Sequence, residues 1–252
     1  MRAHKKTFGL FILLLAATFS LTLLTGISNQ KQGTAVGAQR KDATPIQQEG
    51  RMTEKQREHS KLYKEYKPDG NLRTLAESSA GDVEVVNGIP QKVFFSSSPP
   101  FNLQEFLRGM AHDSDAVVIG VVNKKASFLT EDENFIFSDY DFYVEEILKD
   151  NGAHPIDVKE ITVTRPGGAI VLGQRAVCAI DESLEPLALG NRYLLFLKFI
   201  PSTCAYKAFN SKGSFLLDGN KAVKLTHEDL PFEIETGTET SSLIARIRSA
   251  VQ

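Results

Sequence analysis

The chain has 252 residues, a formal net charge of −2 and two cysteines. Acidic residues outnumber basic ones 19 to 13 between Phe101 and Leu230, which is the wrong sign for a groove that binds single-stranded nucleic acid. With no third or fourth ligand near either cysteine, a zinc site built on them is excluded as well.

Arg2, Lys5 and Lys6 precede an apolar run of about 17 residues from Phe8 to Leu24, the charge and length pattern of an export leader or a short membrane span. Basic residues ahead of the run keep the N-terminus inside and send the bulk of the chain outside. Residues 1–27 are therefore read as a hydrophobic leader helix, either a cleaved signal peptide or a retained membrane anchor. Gly26-Ile27-Ser28 and Val36-Gly37-Ala38 offer small residues for cleavage, and no Cys follows the run to take a lipid. The expected location is periplasmic, extracellular, or anchored to the inner membrane with the domain outside. In an oxidising compartment Cys178 and Cys204 are expected to pair, closing a loop that contributes about 3 to 4 kcal/mol.

Residues 28–81 read as a disordered stalk. Up to residue 60 they are rich in Gln, Lys, Arg, Gly, Thr and Glu and nearly lack large apolar side chains, so little burial offsets their chain entropy. A short helical stretch from Lys61 to Tyr66 is expected at most. Residues 82–100 read as a peripheral hairpin and linker: Val83, Val85 and Val86 run into Asn87-Gly88, then Ile89, Val93 and Phe95. Asn-Gly between apolar runs is a hairpin signal, and Pro90 confines the second strand to an edge.

The domain proper is expected over residues 101–230. Asn102 followed by Glu105 marks a helix start, and Leu103, Phe106, Leu107 and Met110 recur at helical spacing. The helix is expected to end between His112 and Asp115. Ala116 to Val122 is a continuous apolar, β-branched run that reads as a strand buried on both faces. From Phe135 to Leu148 apolar and polar residues alternate, so that strand has one wet face. Further strands are expected at Glu160 to Thr164, Gln174 to Ala179, Arg192 to Phe199, Ala205 to Phe209, Phe215 to Leu217 and Ala222 to Leu225. Turns at Asn151-Gly152, Pro166-Gly167-Gly168, Leu189-Gly190-Asn191 and Asp218-Gly219-Asn220 separate several of them. Short strands so punctuated make the fold mainly β, a sandwich or barrel. In the tail, residues 231–252, Leu243, Ile244, Ile247 and Val251 predict a C-terminal helix.

Four segments carry a resemblance: Asp115 to Val122, Tyr140 to Lys149, Ile161 to Gly168 and Leu189 to Leu197. In that order they resemble exported envelope proteins of soil bacteria and, more distantly, the OB-like β-barrel of metalloproteinase inhibitors and netrin-like modules. The resemblance covers about residues 101 to 226 and implies a small OB-like barrel. Those inhibitors chelate the protease zinc through an N-terminal Cys. This chain has no Cys before Cys178, so their mechanism does not carry over.

Candidate chemistry is thin. His4, His59, His112, His154 and His227 hold no metal-ligand spacing, and His112-Asp113-Ser114-Asp115 reads as a helix end. Glu131-Asp132-Glu133-Asn134 lacks the Gly-spaced loop of a calcium site and reads as an acidic hairpin tip. Asp139, Asp141 and Glu145 share the wet face of one strand, where charge is ordinary. Arg165-Pro166-Gly167-Gly168 follows a strand without a helix to complete a phosphate cradle, and so reads as a turn. Neither catalytic residues nor a cofactor are assigned. The function expected is a non-enzymatic binding or interaction module of the cell envelope. Its partner would be an envelope protein or glycan, contacted by the loops Phe128 to Phe137 and Pro166 to Leu172. An uncleaved leader would add the membrane as a partner. The alternatives are a hydrolase or hydrolase accessory acting on envelope polymers, and a protease inhibitor by fold analogy.

Overall fold

A computed structural model describes residues 46–66, 70–86, 102–226 and 238–252, all within a unit running from Asp42 to Gln252. The leader, the Asn87-Gly88 turn with its expected second strand, and His227 lie outside the described residues. Strands take up 43% of the described residues and helices 21%, so the fold is mainly β as expected.

Two long strands, β3 (Ala116–Leu129) and β4 (Ile136–Lys149), form an antiparallel pair. β5 (Glu160–Pro166) continues the meander on β4, and β8 (Arg192–Ile200) pairs with the other edge of β3. β9 (Ala205–Ala208) then lies antiparallel to β8 and parallel to β5. These pairings close a ring in the order β3-β4-β5-β9-β8-β3. A meander of three strands followed by a hairpin closes only if its last strand meets the third in parallel, which the β5–β9 pair does.

The ring interior is apolar because alternate residues of each strand point inward. Val118, Tyr140, Phe142, Ile161, Val163, Tyr193, Leu195 and Leu197 form one buried cluster. Burying each such side chain contributes about 1.5 to 3 kcal/mol. β3 slips register after Val117, Ile119 and Val122, bulges that bend the strand around the ring. Gly120 makes one of them feasible, since a Cβ there would sit 2.0 Å from the Tyr143 carbonyl oxygen.

Outside the ring, β8 extends through β10 (Ser214–Asp218), β11 (Lys221–Lys224) and β12 (Thr238–Glu239). A helix over Leu103–Asp113 packs on this flank beside the C-terminal helix Thr240–Val251. Phe106, Leu107 and Met110 from the first, and Leu243 and Ile247 from the second, meet Val117, Ile119, Leu194 and Phe196. The expected helix start is found at Asn102, whose side chain accepts from the Glu105 amide at 3.0 Å. Lys149 Nζ donates to the Ala111 and Ser114 carbonyls at the far end. Burial there lowers its pKa.

A second sheet differs from expectation. β1 (Gln47–Gln48), β6 (Gly168–Leu172), β7 (Arg175–Ile180) and β2 (Val83–Val86) pair in the order β1-β6-β7-β2. Val83–Val86 runs parallel to β7 along its whole length, so it is an edge of this sheet. The expected loop Pro166 to Leu172 is mostly strand β6, with Ile170 and Leu172 buried. Gly167 at φ +88° and Gly168 at φ +155° let the chain turn sharply from β5 into it.

The expected stalk over 28–81 is also corrected where it is described. Residues 46–66 and 70–81 contain helix α1 (Glu54–Lys61) and helix α2 (Leu72–Ser78), followed in chain order by α3 (Leu103–Asp113) and α4 (Thr240–Val251). Thr53 and Gln56 close a reciprocal capping box on α1. Tyr63, Tyr66, Leu72 and Ala76 are buried with Phe135, Phe137, Ile170 and Val177. Four apolar side chains scattered through a polar tract suffice here because each meets a surface prepared by the ring and the second sheet.

Candidate functional site

Residues 53–66, which follow β1, cross the outward face of β4 and β5 like a strap. On that face Asp139 lies opposite Thr164 and Asp141 opposite Thr162. The strap meets them through side chains. Lys55 Nζ donates to Thr162 Oγ1 at 2.8 Å, and Tyr63 Oη donates to Thr164 Oγ1 at 3.1 Å. Ser60 Oγ accepts from the Glu131 amide at 2.8 Å, and Tyr66 Oη donates to Asp181. The rings of Tyr63 and Phe137 stack at 5.5 Å, those of Tyr66 and Phe135 at 4.3 Å. Burial pushes both phenols well above the ordinary tyrosine range, and the Asp181 carboxylate adds to the effect at Tyr66.

The centre of the contact is His59, fully buried at 0% exposure. Its Nδ1 lies 2.9 and 3.0 Å from the two oxygens of Asp139. Its Nε2 lies 2.9 Å from Thr203 Oγ1. A carboxylate only accepts, so Nδ1 carries the proton, and in the neutral ring Nε2 then accepts from the Thr203 hydroxyl. Carboxylate, imidazole and hydroxyl stand in series, with Thr203 half-buried in the turn between β8 and β9. Such a series can polarise the hydroxyl, the arrangement that activates an oxygen nucleophile.

The carboxylates expected on one strand face have separate partners. Asp139 takes His59, Asp141 lies 3.6 Å from Lys124, and Glu145 lies 2.6 Å from Arg192. In the acidic tip Glu133 pairs with Arg73 at 2.7 Å, which lowers the Glu133 pKa. His112 pairs with Asp113 on the surface, and His154 stacks on Phe199 at 4.6 Å. Cys178 is half-buried on β7 and Cys204 is exposed in the β8–β9 turn, and no disulfide joins them in this structure. Of the expected contact loop Phe128 to Phe137, Phe128, Leu129, Phe135, Ile136 and Phe137 are buried, which leaves a short tip at residues 131–134.

Among the described residues no group of three or more His, Cys, Asp or Glu is placed to hold a metal ion. No described helix is long and apolar enough to cross a membrane. A shallow hollow of about 270 Å³ between α2 and the β6–β7 turn is lined by Arg73, Leu172 and Arg175. Arg73 already holds Glu49 and Glu133 there.

Sequence reasoning missed His59, Thr203 and Arg165. The one local signal for the first was the spacing Thr53-x-x-Gln56, a helix start inside a tract read as disordered. Nothing local marks Thr203, because its partner is 144 positions away. Compared with known proteins, the chain matches no protein-family model and no curated protein sequence.

Proposed function

We propose that this protein is a non-enzymatic interaction module, exported by its leader and built on an OB-like barrel, that recognises an envelope protein or glycan. The ring order and its parallel β5–β9 closure support the OB-like reading. Modules of that architecture bind on the face of their second and third strands, here β4 and β5. The observation that carries the proposal is the docking of the strap on this face through hydrogen-bonding side chains and stacked tyrosines. The face thereby holds a polar, helical segment in cis. Its other end, at Tyr143, keeps a large ring 38% exposed and open to a partner. A photo-reactive residue placed at Tyr143, with Arg246 on α4 as the control position, tests this in the native envelope. Adducts confined to the Tyr143 position are expected. No adduct there, or equal adducts at both positions, would overturn the reading.

A second reading, a hydrolase acting on envelope polymers, is favoured by the Asp139-His59-Thr203 series. Thr203 Oγ would attack an ester carbonyl as its proton passes to His59 Nε2, the ester C–O bond would break with the alcohol leaving on that proton, and water would then cleave the acyl-enzyme. A fluorophosphonate probe tests it. Labelling of Thr203 that disappears in His59→Ala supports the hydrolase, and an unlabelled Thr203 across the pH range removes it.

A further inference from the structure

Arg165 belongs to the turn motif of the sequence, yet its side chain is the largest fully buried one described, at 1% exposure. It sits on β5 two residues after Val163, on the same side of the strand. Its guanidinium therefore enters the ring end where Tyr140 and Tyr193 also lie. Burying an ion of this kind costs several kcal/mol unless partners surround it. Here one long bond is made, from Nη1 to Ser214 Oγ at 3.5 Å. Nε and Nη2 have no partner, and neither does the hydroxyl of Tyr140, which is 0% exposed.

The position of the unpartnered atoms carries the argument. Nε and Nη2 form one edge of the planar group, with two parallel N–H bonds spaced to match the two oxygens of a carboxylate. The local charge has the same sense. Lys125 Nζ stands 5.7 Å from the centre of the Tyr140 ring. Asp181 is occupied by Tyr66 and by the amide and hydroxyl of Ser183, so its charge reaches Arg165 only at longer range. Buried polar groups in native proteins are matched by partners, and a cluster left unmatched marks a place for an ion or water.

We propose that Arg165 and Tyr140 form an occluded binding site for a small carboxylate, held side-on by Nε and Nη2 and capped by the tyrosine hydroxyl. The site lies on the inner side of β4 and β5, opposite the face the strap covers, because Tyr140 and Arg165 alternate along their strands with Asp139 and Thr164. It is independent of the β4–β5 recognition face and stands or falls separately.

The test titrates the full chain with sodium formate, then with acetate, at constant ionic strength, followed by calorimetry and melting temperature. Saturable binding of formate with a rise in Tm is expected. Tyr140→Phe is expected to weaken it about tenfold, and Arg165→Met to abolish it. If Arg165→Met fails to fold, Arg165→Lys serves instead, because it keeps the charge and loses the two-pronged edge. A crystal grown with formate is expected to show both oxygens on the Arg165 edge. No saturation by concentrations on the order of 100 mM, undiminished binding without the arginine, or ordered waters alone on Nε and Nη2 would overturn the proposal.

Discussion

The ring and the strap are held by different physics. Inside the ring, Phe142, Val163, Leu195 and Leu197 are buried among one another and need no particular partner beyond a well-filled neighbour. The strap over Glu54–Lys61 is a helix of 8 residues, too short to persist alone. It is placed by His59, Lys55, Tyr63 and Tyr66 reaching named atoms. Apolar burial is additive and tolerant of detail, whereas a set of directed bonds is all position. The ring is thus expected to govern global stability and the strap to govern local opening.

Cutting into the ring should have the largest effect. Phe142→Ala is expected to cost about 3 to 5 kcal/mol in urea unfolding. Gly120→Ala should cost at least about 3 kcal/mol, because its new methyl meets backbone that cannot move away. A loss below 1 kcal/mol in either, roughly the level of a surface change, would mean the ring is not the stabilising unit.

Next in size is the strap. Asp139→Ala strands the buried Nδ1 proton of His59, an unsatisfied donor that costs about 1 to 3 kcal/mol. Hydrogen exchange should accelerate over residues 54–66 while the amides of β3 and β8 keep their protection. Uniform acceleration would erase the distinction between the two regions.

Smaller again is the response to alkali. Below pH 10.0, the ordinary phenol value, Tyr63 and Tyr66 are protonated both folded and unfolded, and stability does not depend on them. Above it the unfolded tyrosines ionise while the buried ones, with raised pKa, keep their protons. The unfolded state then binds fewer protons, and stability falls by about 1.4 kcal/mol per pH unit for each tyrosine. Replacing both with Phe should make melting temperature fall less steeply with pH above about 10, the remaining slope coming from Tyr193 and Tyr206, whose pKa burial also raises. The smallest effect is expected for Arg248→Ala on α4, which breaks a pair with Glu146 in which the two side chains are 56% and 38% exposed. Its cost should stay below about 1 kcal/mol and shrink with salt.

Legibility follows the same division. The apolar run from Ala116, the alternation through Tyr140, Phe142 and Val144, and the spacing of Leu243 and Ile247 announce β3, β4 and α4 because period and burial are local properties. The turn signals at Gly190 and Gly219 likewise mark real chain reversals, each with φ positive. β6 was hidden by Pro166-Gly167-Gly168, since turn chemistry reports where a chain bends and not whether it pairs again at once. The strap was hidden because its tract looks polar. His59, Lys55 and Thr53 have the composition of a solvated linker, and their value depends wholly on Asp139, Thr162 and Thr203 standing opposite.

By itself, then, the sequence determined the mainly β class, the two helices that flank the ring and where along the chain the ring strands fall, through hydrophobic period and turn residues acting over a few positions. Only the tertiary structure decided that β5 meets β9 in parallel, that residues 53–66 lie on the ring, and that Arg165 is buried with one edge unpartnered. Those facts depend on contacts between residues from about 40 to 144 positions apart. No local pattern encodes such contacts, because the free energy that selects them appears only when both surfaces already exist.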